Sequence, residues 1–168
     1  MPDPFVENIV AALPALKRFA LSLSRRPDIA DDLVQITAER AFRARARFDP
    51  DTRLEAWLFR ILRNAWIDML RRDATRGEVV DIHDNPQADP VDSAAQNENR
   101  LMLASVRAAM LTLPEDQRAV LHLVCVAGLS YAEAAQTLEI PQGTVMSRLS
   151  RARIALAKKV GIDDAPGR

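Results

Sequence analysis

Residues 128–159, GLSYAEAAQTLEIPQGTVMSRLSRARIALAKK, constrain the fold more than any other stretch, because their punctuation spells helix, tight turn, helix. Gly128 can end a preceding helix, since glycine tolerates the left-handed backbone of a helix C-terminus. Ser130 can cap the next helix, and Glu133, three residues on, completes a capping box. That helix is short and is expected to end near Leu138. Pro141 can open the following one, because a first-turn residue needs no amide donor. Val145, Leu149, Ala152 and Leu156 then recur at helical spacing and share one buried face. The far side carries Ser147, Ser150, Arg151, Ile154 and Lys158, with Arg148, Arg153 and Lys159 on the flanks. Residues 148–159 include five basic side chains and no acid. An apolar face for docking and a cationic face for display is what a helix in the DNA major groove requires. A solvated helix of a plain bundle would explain the periodicity, but not the agreement of cap, turn and charge asymmetry.

The remainder reads as all-α. No run of β-branched alternation occurs, and no segment is apolar and long enough to span a bilayer. The start, MPDPFVENIV, lacks the basic and apolar pattern of a secretory signal. A single cysteine, Cys125, cannot form an internal disulfide, which fits a reducing cytoplasm. Flanked by Val124 and Val126, it is expected to be a core thiol. Net charge is zero, which alone argues against nucleic acid, but the distribution is uneven. Residues 73–100 hold seven acids against two bases and little apolar content, so they cannot offset their ordering entropy and read as a flexible linker. The expected organisation is two small helical domains, 1–72 and 101–160, on an acidic tether, with a short tail at 161–168. His83 falls in the linker and His122 in a helix, neither at ligand spacing from a cysteine or carboxylate, so no metal site is expected. No phosphate-binding glycine loop occurs, so no cofactor and no enzymatic activity are expected.

In the first domain Ile9, Leu13, Leu16, Ala20 and Leu23 mark a helical face, with Pro14 predicting a break or fresh start inside it. A second helix is expected over about 28–47. Ile29, Leu33 and Ile36 are its apolar positions, and Asp28, Asp31, Asp32, Gln35 and Glu39 its polar face. Those acids either favour a helix N-terminus or form a docking surface, and periodicity favours the former. Phe48-Asp49-Pro50-Asp51-Thr52 is a loop, and a third helix follows over about 53–72. Leu54, Trp57, Leu58, Ile61, Leu62, Ala65 and Met69 form its broad apolar face, and Trp57 is expected in the core. Arg60, Arg63, Asn64, Ile67 and Arg71 form a second stripe, with Trp66 at the margin. Cations interleaved with an amide and an apolar or aromatic surface suit unpaired bases; the alternative is a solvated helix face.

DIADDLVQITAERAFRA, LEAWLFRILRNAWIDMLRR and LTLPEDQRAVLHLVCVAGLSYAEAAQTLEIPQGTVMSRLSRAR, in this order and spacing, resemble the two conserved domains of bacterial extracytoplasmic-function sigma factors. The resemblance covers about 10–72 and 101–160 and leaves the linker unmatched. It implies that the second helix binds the RNA polymerase clamp through Asp31, Asp32, Leu33 and Gln35, against the preference from periodicity. It implies that the third helix engages the melted −10 element, with Asn64 and Asp68 added to Arg60, Arg63, Ile67 and Arg71. The loop carrying Phe48 and Asp49 would capture a flipped base, a step that costs a few kcal/mol of unstacking. The last helix would read the −35 duplex through Thr144, Met146, Ser147, Arg148, Ser150 and Arg151; relatives often carry arginine where this chain has Met146. The linker would lie in the polymerase's basic RNA-exit region.

The resemblance thus implies an alternative sigma factor that binds core RNA polymerase and promoter DNA, opens a stress-type promoter, and is silenced by an anti-sigma factor. It is expected to be cytoplasmic, without membrane insertion, and monomeric when free of partners. A sigma mimic that only titrates an anti-sigma factor would lose cationic or base-reading residues, yet Arg60, Arg63, Asn64, Arg151 and Arg153 are present. A one-component helix-turn-helix repressor usually carries a dimerisation helix, and none is found.

Overall fold

A computed structural model describes residues 1–77 and 97–162. Its elements are α1 (Pro4–Ser24), α2 (Pro27–Arg43), a 3₁₀ turn (Arg45–Arg47), α3 (Leu54–Arg76), α4 (Asn97–Leu111), α5 (Glu115–Leu121), a π turn (His122–Val126), α6 (Tyr131–Leu138) and α7 (Gln142–Lys159). No strand occurs among the described residues, as the sequence predicts. Most of the acidic linker and nearly all of the tail lie outside the described residues.

The first half is a three-helix unit. Asp3 caps α1 by accepting a hydrogen bond from the Phe5 amide at 3.0 Å. Ile9, Ala12, Leu16, Phe19, Ala20 and Leu23 form its buried face, with Leu13 at the margin. Pro14 does not break α1 as the sequence predicts. It is exposed, and the carbonyl it deprives of a donor belongs to Val10, 57 % exposed, on the solvent side of the helix, where a missing bond costs little. α2 stops at Arg43, short of the predicted 47, because the chain tightens there into the 3₁₀ turn. Phe19 and Phe59 meet edge-on at 5.2 Å, and Leu33, Leu58 and Leu62 fill the space around them. The two tryptophans depart from the sequence reading: Trp57 is half-buried, whereas Trp66 is buried.

The second half packs α7 on α5 and α6 around Leu113, Val120, Leu123, Leu138, Val145 and Leu149, with α4 alongside α7. Cys125 is exposed, not a core thiol. The π turn widens the helix there, so His122 and Leu123 point inward while Cys125 and Val126 face out.

The halves pack together, α1 on α5 and α3 on α6, and share one hydrophobic cluster. Arg118 crosses the boundary. Fully buried, it donates from Nε to the Ser22 carbonyl, from Nη1 to that of Leu113, and from Nη2 to that of Leu23 at 3.3 Å. Ser22 and Leu23 lie in the last turn of α1, whose carbonyls have no partner within the helix, so an arginine of one half caps a helix of the other. Arg25, left-handed at φ 58°, donates back to the Leu113 carbonyl at 3.2 Å. Burial, with Arg25 nearby, pushes the Arg118 guanidinium down to about 10, still charged at neutral pH.

His122 sits in the same boundary, 5.5 Å from the Phe19 ring. Burial, and then Arg18, push it from 6.5 down to about 4. The unfolded chain therefore takes up a proton in a pH range where the folded one refuses it. Stability is full above pH 6.5 and declines as pH falls toward 4. Melting followed by circular dichroism should show a steeper loss of Tm across that window in wild type than in His122→Leu. Parallel curves would clear His122 of this role.

Candidate nucleic-acid and polymerase interfaces

The helix-turn-helix forms by the local chemistry its sequence carries. Gly128 is left-handed at φ 71°, and the Leu129 amide reaches back to the Leu123 carbonyl at 2.9 Å. The capping box is complete: Ser130 Oγ accepts from the Glu133 amide at 3.1 Å, and the Glu133 carboxylate from the Ser130 amide at 2.8 Å. Glu139 then adopts a left-handed backbone at φ 55°, which turns the chain into α7. Val145, Leu149 and Ala152 are buried, so α7 is held by one face. Met146, Ser147, Ser150, Arg151 and Ile154 are exposed on the other, and Thr144 is half-buried beside them. Arg151 Nε rests on the Ser147 carbonyl at 3.4 Å, and Ser147 Oγ on that of Thr144 at 3.1 Å. Arg148 differs: half-buried on the flank, its Nε lies 3.4 Å from Asp116.

The α3 stripe is brought together but is largely engaged. Arg60 lies 3.3 Å from Glu139 in the turn of the other half. Arg63 and Ile67 line a cleft with Trp66, Glu115, Asp116 and Arg148. Burial there holds Arg63 below the usual guanidinium range, against the pull of Glu139 and Glu115. Asn64 is half-buried, Arg71 is exposed, and Asp68 accepts from Arg40 of α2 at 2.8 Å. Asp49 is exposed and folds its loop by accepting from the Asp51 amide at 3.0 Å, while Phe48 is half-buried. On α2, Asp31, Asp32 and Gln35 are exposed, with Asp31 3.2 Å from Lys17. Leu33 is fully buried and presents no surface to a partner; it anchors the helix that displays the other three.

Further residues bear on the site that periodicity does not single out. Glu115 accepts from the Trp66 indole at 3.0 Å, Arg53 donates to the Gly128 carbonyl at 3.2 Å, and Glu139 holds Arg60, so the two halves are stitched across the α3 stripe. The one advance signal is Arg118, a lone cation in the apolar run RAVLHLV. In this arrangement the Met146/Ser147/Ser150/Arg151 side of α7 is open and the α3 stripe is half covered.

A three-helix module with a cationic stripe is followed by a helix-turn-helix module, the order of the two modules of a sigma-type initiation factor. Residues 9–76 match Sigma-70 region 2, and residues 103–156 match Sigma-70, region 4. The chain is 41% identical over 165 residues to the ECF RNA polymerase sigma factor EcfG of Rhodopseudomonas palustris (strain TIE-1), covering 98% of this chain and 90% of that protein. Among solved structures it is similar to the sigma factor RpoE in complex with the anti-sigma factor NepR from Bartonella quintana. That match has a TM-score of 0.80 at 33% identity and covers 95% of this chain and 98% of that one. A second similar structure is CnrH in complex with the cytosolic domain of CnrY, with TM-score 0.65, 30% identity and coverage of 95% and 89%. The chain belongs to the ECF RNA polymerase sigma factors. It is an alternative sigma factor that directs transcription initiation. No described helix is long and apolar enough to cross a membrane.

Proposed function

We propose that this sigma factor docks on core RNA polymerase through Asp31, Asp32 and Gln35, with Leu33 as their anchor. α3 and the loop before it engage the opened −10 strand through Phe48, Asp49, Arg60, Arg63, Asn64, Ile67, Asp68 and Arg71. α7 reads the −35 duplex through Thr144, Met146, Ser147, Arg148, Ser150 and Arg151, with Arg148 released from Asp116 on DNA. The factor acts in the cytoplasm by binding alone, without catalysis, and an anti-sigma factor restrains it, as NepR accompanies RpoE in the similar structure. The observation that carries this reading is the division of α7 into a buried Val145/Leu149/Ala152 face and an open Met146/Ser147/Ser150/Arg151 face. Promoter melting then requires the halves to part, since Glu139 and the cleft occupy the α3 stripe.

The docking assignment is tested by Asp32→Lys with Gln35→Ala. Both side chains are exposed, so far-ultraviolet circular dichroism should not change. Affinity for core polymerase should fall about ten-fold, as for a contact of intermediate weight in a docking interface. Unchanged retention in a pull-down would leave the acidic face merely solvated.

A further inference from the structure

Between the start of α1 and the loop that precedes α3 lies a cluster of four aromatic rings. Phe48 stands 5.1 Å from Trp57 and 6.0 Å from Phe5, and Phe5 also meets Trp57 and Phe42, each at 6.3 Å. The cluster is only partly buried, and Phe42 is 45% exposed. Arg45 closes it from above. Its guanidinium lies 5.1 Å over the Phe5 ring and forks onto Asp3, Nη2 to Oδ1 at 3.0 Å with Nη1 bonded to Oδ2. Arg45 holds the Asp3 carboxyl below the usual carboxylate range. Asp3 thereby does two things at once, capping α1 through the Phe5 amide and fixing Arg45.

Two features set this arrangement apart from ordinary packing. Asp3 and Phe5 lie upstream of residues 9–76, the stretch that matches Sigma-70 region 2. It also places the Asp3 carboxylate on Arg45, three residues before Phe48 and beside the loop proposed to meet the −10 strand, where an acid opposes phosphate. An acid there needs a use, and the geometry supplies one. Phe48 opens the loop, and its ring is wedged between Phe5 and Trp57.

We propose that Asp3, Phe5 and Arg45 form a clasp that holds the loop 48–52 in the shape that accepts an unpaired base of the −10 strand. They are positioning residues: they act through Phe48 and the backbone that carries Asp49, and do not touch the base. The clasp lowers the entropy lost when the loop closes on DNA, because the loop is already bent by Asp49 and pinned at its first residue. The proposal rests on the assignment of that loop to −10 DNA.

The test is binding of a single-stranded −10 non-template oligonucleotide by holoenzyme reconstituted with core polymerase. Asp3→Asn keeps the amide cap on Phe5 but removes the charge that fixes Arg45. Simple electrostatics predicts tighter binding, since an acid is lost and an arginine freed. The clasp predicts the opposite sign, a weakening of about three- to five-fold. Phe5→Ala should weaken binding about ten-fold. Neither loss should add to that of Phe48→Ala in the double variant, and holoenzyme assembly should stay unchanged. Equal or tighter binding by Asp3→Asn, or losses that add fully to that of Phe48→Ala, would overturn the clasp. Wild-type binding by Phe48→Ala would instead overturn the loop assignment, and the clasp's role with it.

Discussion

Arg118→Met should part the two halves of the protein while leaving most of the helix in place. Methionine fills a similar volume but donates nothing, so the Ser22 and Leu23 carbonyls lose the arginine donor that reaches them across the boundary. Leu113 keeps the bond from Arg25. A buried acceptor left unpaired costs roughly 1–3 kcal/mol, so losing two of them takes away a large part of what holds the halves closed. Small-angle scattering should show a larger radius of gyration, and trypsin should reach Arg60 and Arg63 sooner than in wild type. Arg118→Lys keeps the charge and a donor but on a single nitrogen that cannot span all three carbonyls, and should lie between. A variant as compact and as heat-stable as wild type would show that the shared apolar cluster and the bonds of Arg25, Arg53, Arg60 and Trp66 close the halves without Arg118.

The second large effect is expected in α7. Arg151 is exposed on the side of α7 proposed to face DNA and has no acidic partner among the described ion pairs, so its charge is available. Arg151→Ala should cut promoter activity about ten-fold and reduce the salt dependence of binding by about one counter-ion. Met146, 52% exposed near the start of α7, is placed by the proposed reading where side chains reach base edges. Its thioether cannot donate the paired hydrogen bonds that a guanidinium offers guanine, a contact worth ~1–3 kcal/mol of discrimination. Met146→Arg should therefore change the preferred −35 bases while core-polymerase binding stays intact. A randomised −35 library transcribed by both proteins reads this directly. Identical preferences would mean that position 146 does not meet the base edges.

The helix-turn-helix was legible because its signals are local. Ser130 and Glu133 lie within one turn, and Val145, Leu149 and Ala152 repeat on one face. Pro14 was misread because its effect depends on whether the deprived carbonyl meets water, which periodicity does not encode. Cys125 was misread because a π turn shifts the phase on which inward and outward positions are counted. The packing of the halves was not legible. Trp66, Glu115 and Arg118 meet across dozens of residues, and an amphipathic pattern says that a face is buried without naming its partner. The same holds for the candidate site. The stripe Arg60–Arg63–Asn64 could be read from helical spacing, but not that Glu139 lies against it.

Glu139 carries a consequence of its own. It is one of two non-glycine residues among those described with a left-handed backbone, a conformation that costs an ordinary residue about 1–2 kcal/mol. A glycine there would relax the turn. The carboxylate that glycine lacks is the one 3.3 Å from Arg60 of the other half. Position 139 is thus locally frustrated: the backbone favours one residue and the long-range contact another. When the halves part, the contact goes but the backbone cost stays, so the separated form carries a conflict that the closed form partly offsets. The turn that leads into α7 and the bond that covers α3 are therefore coupled through one residue, and the second cannot be tuned without touching the first.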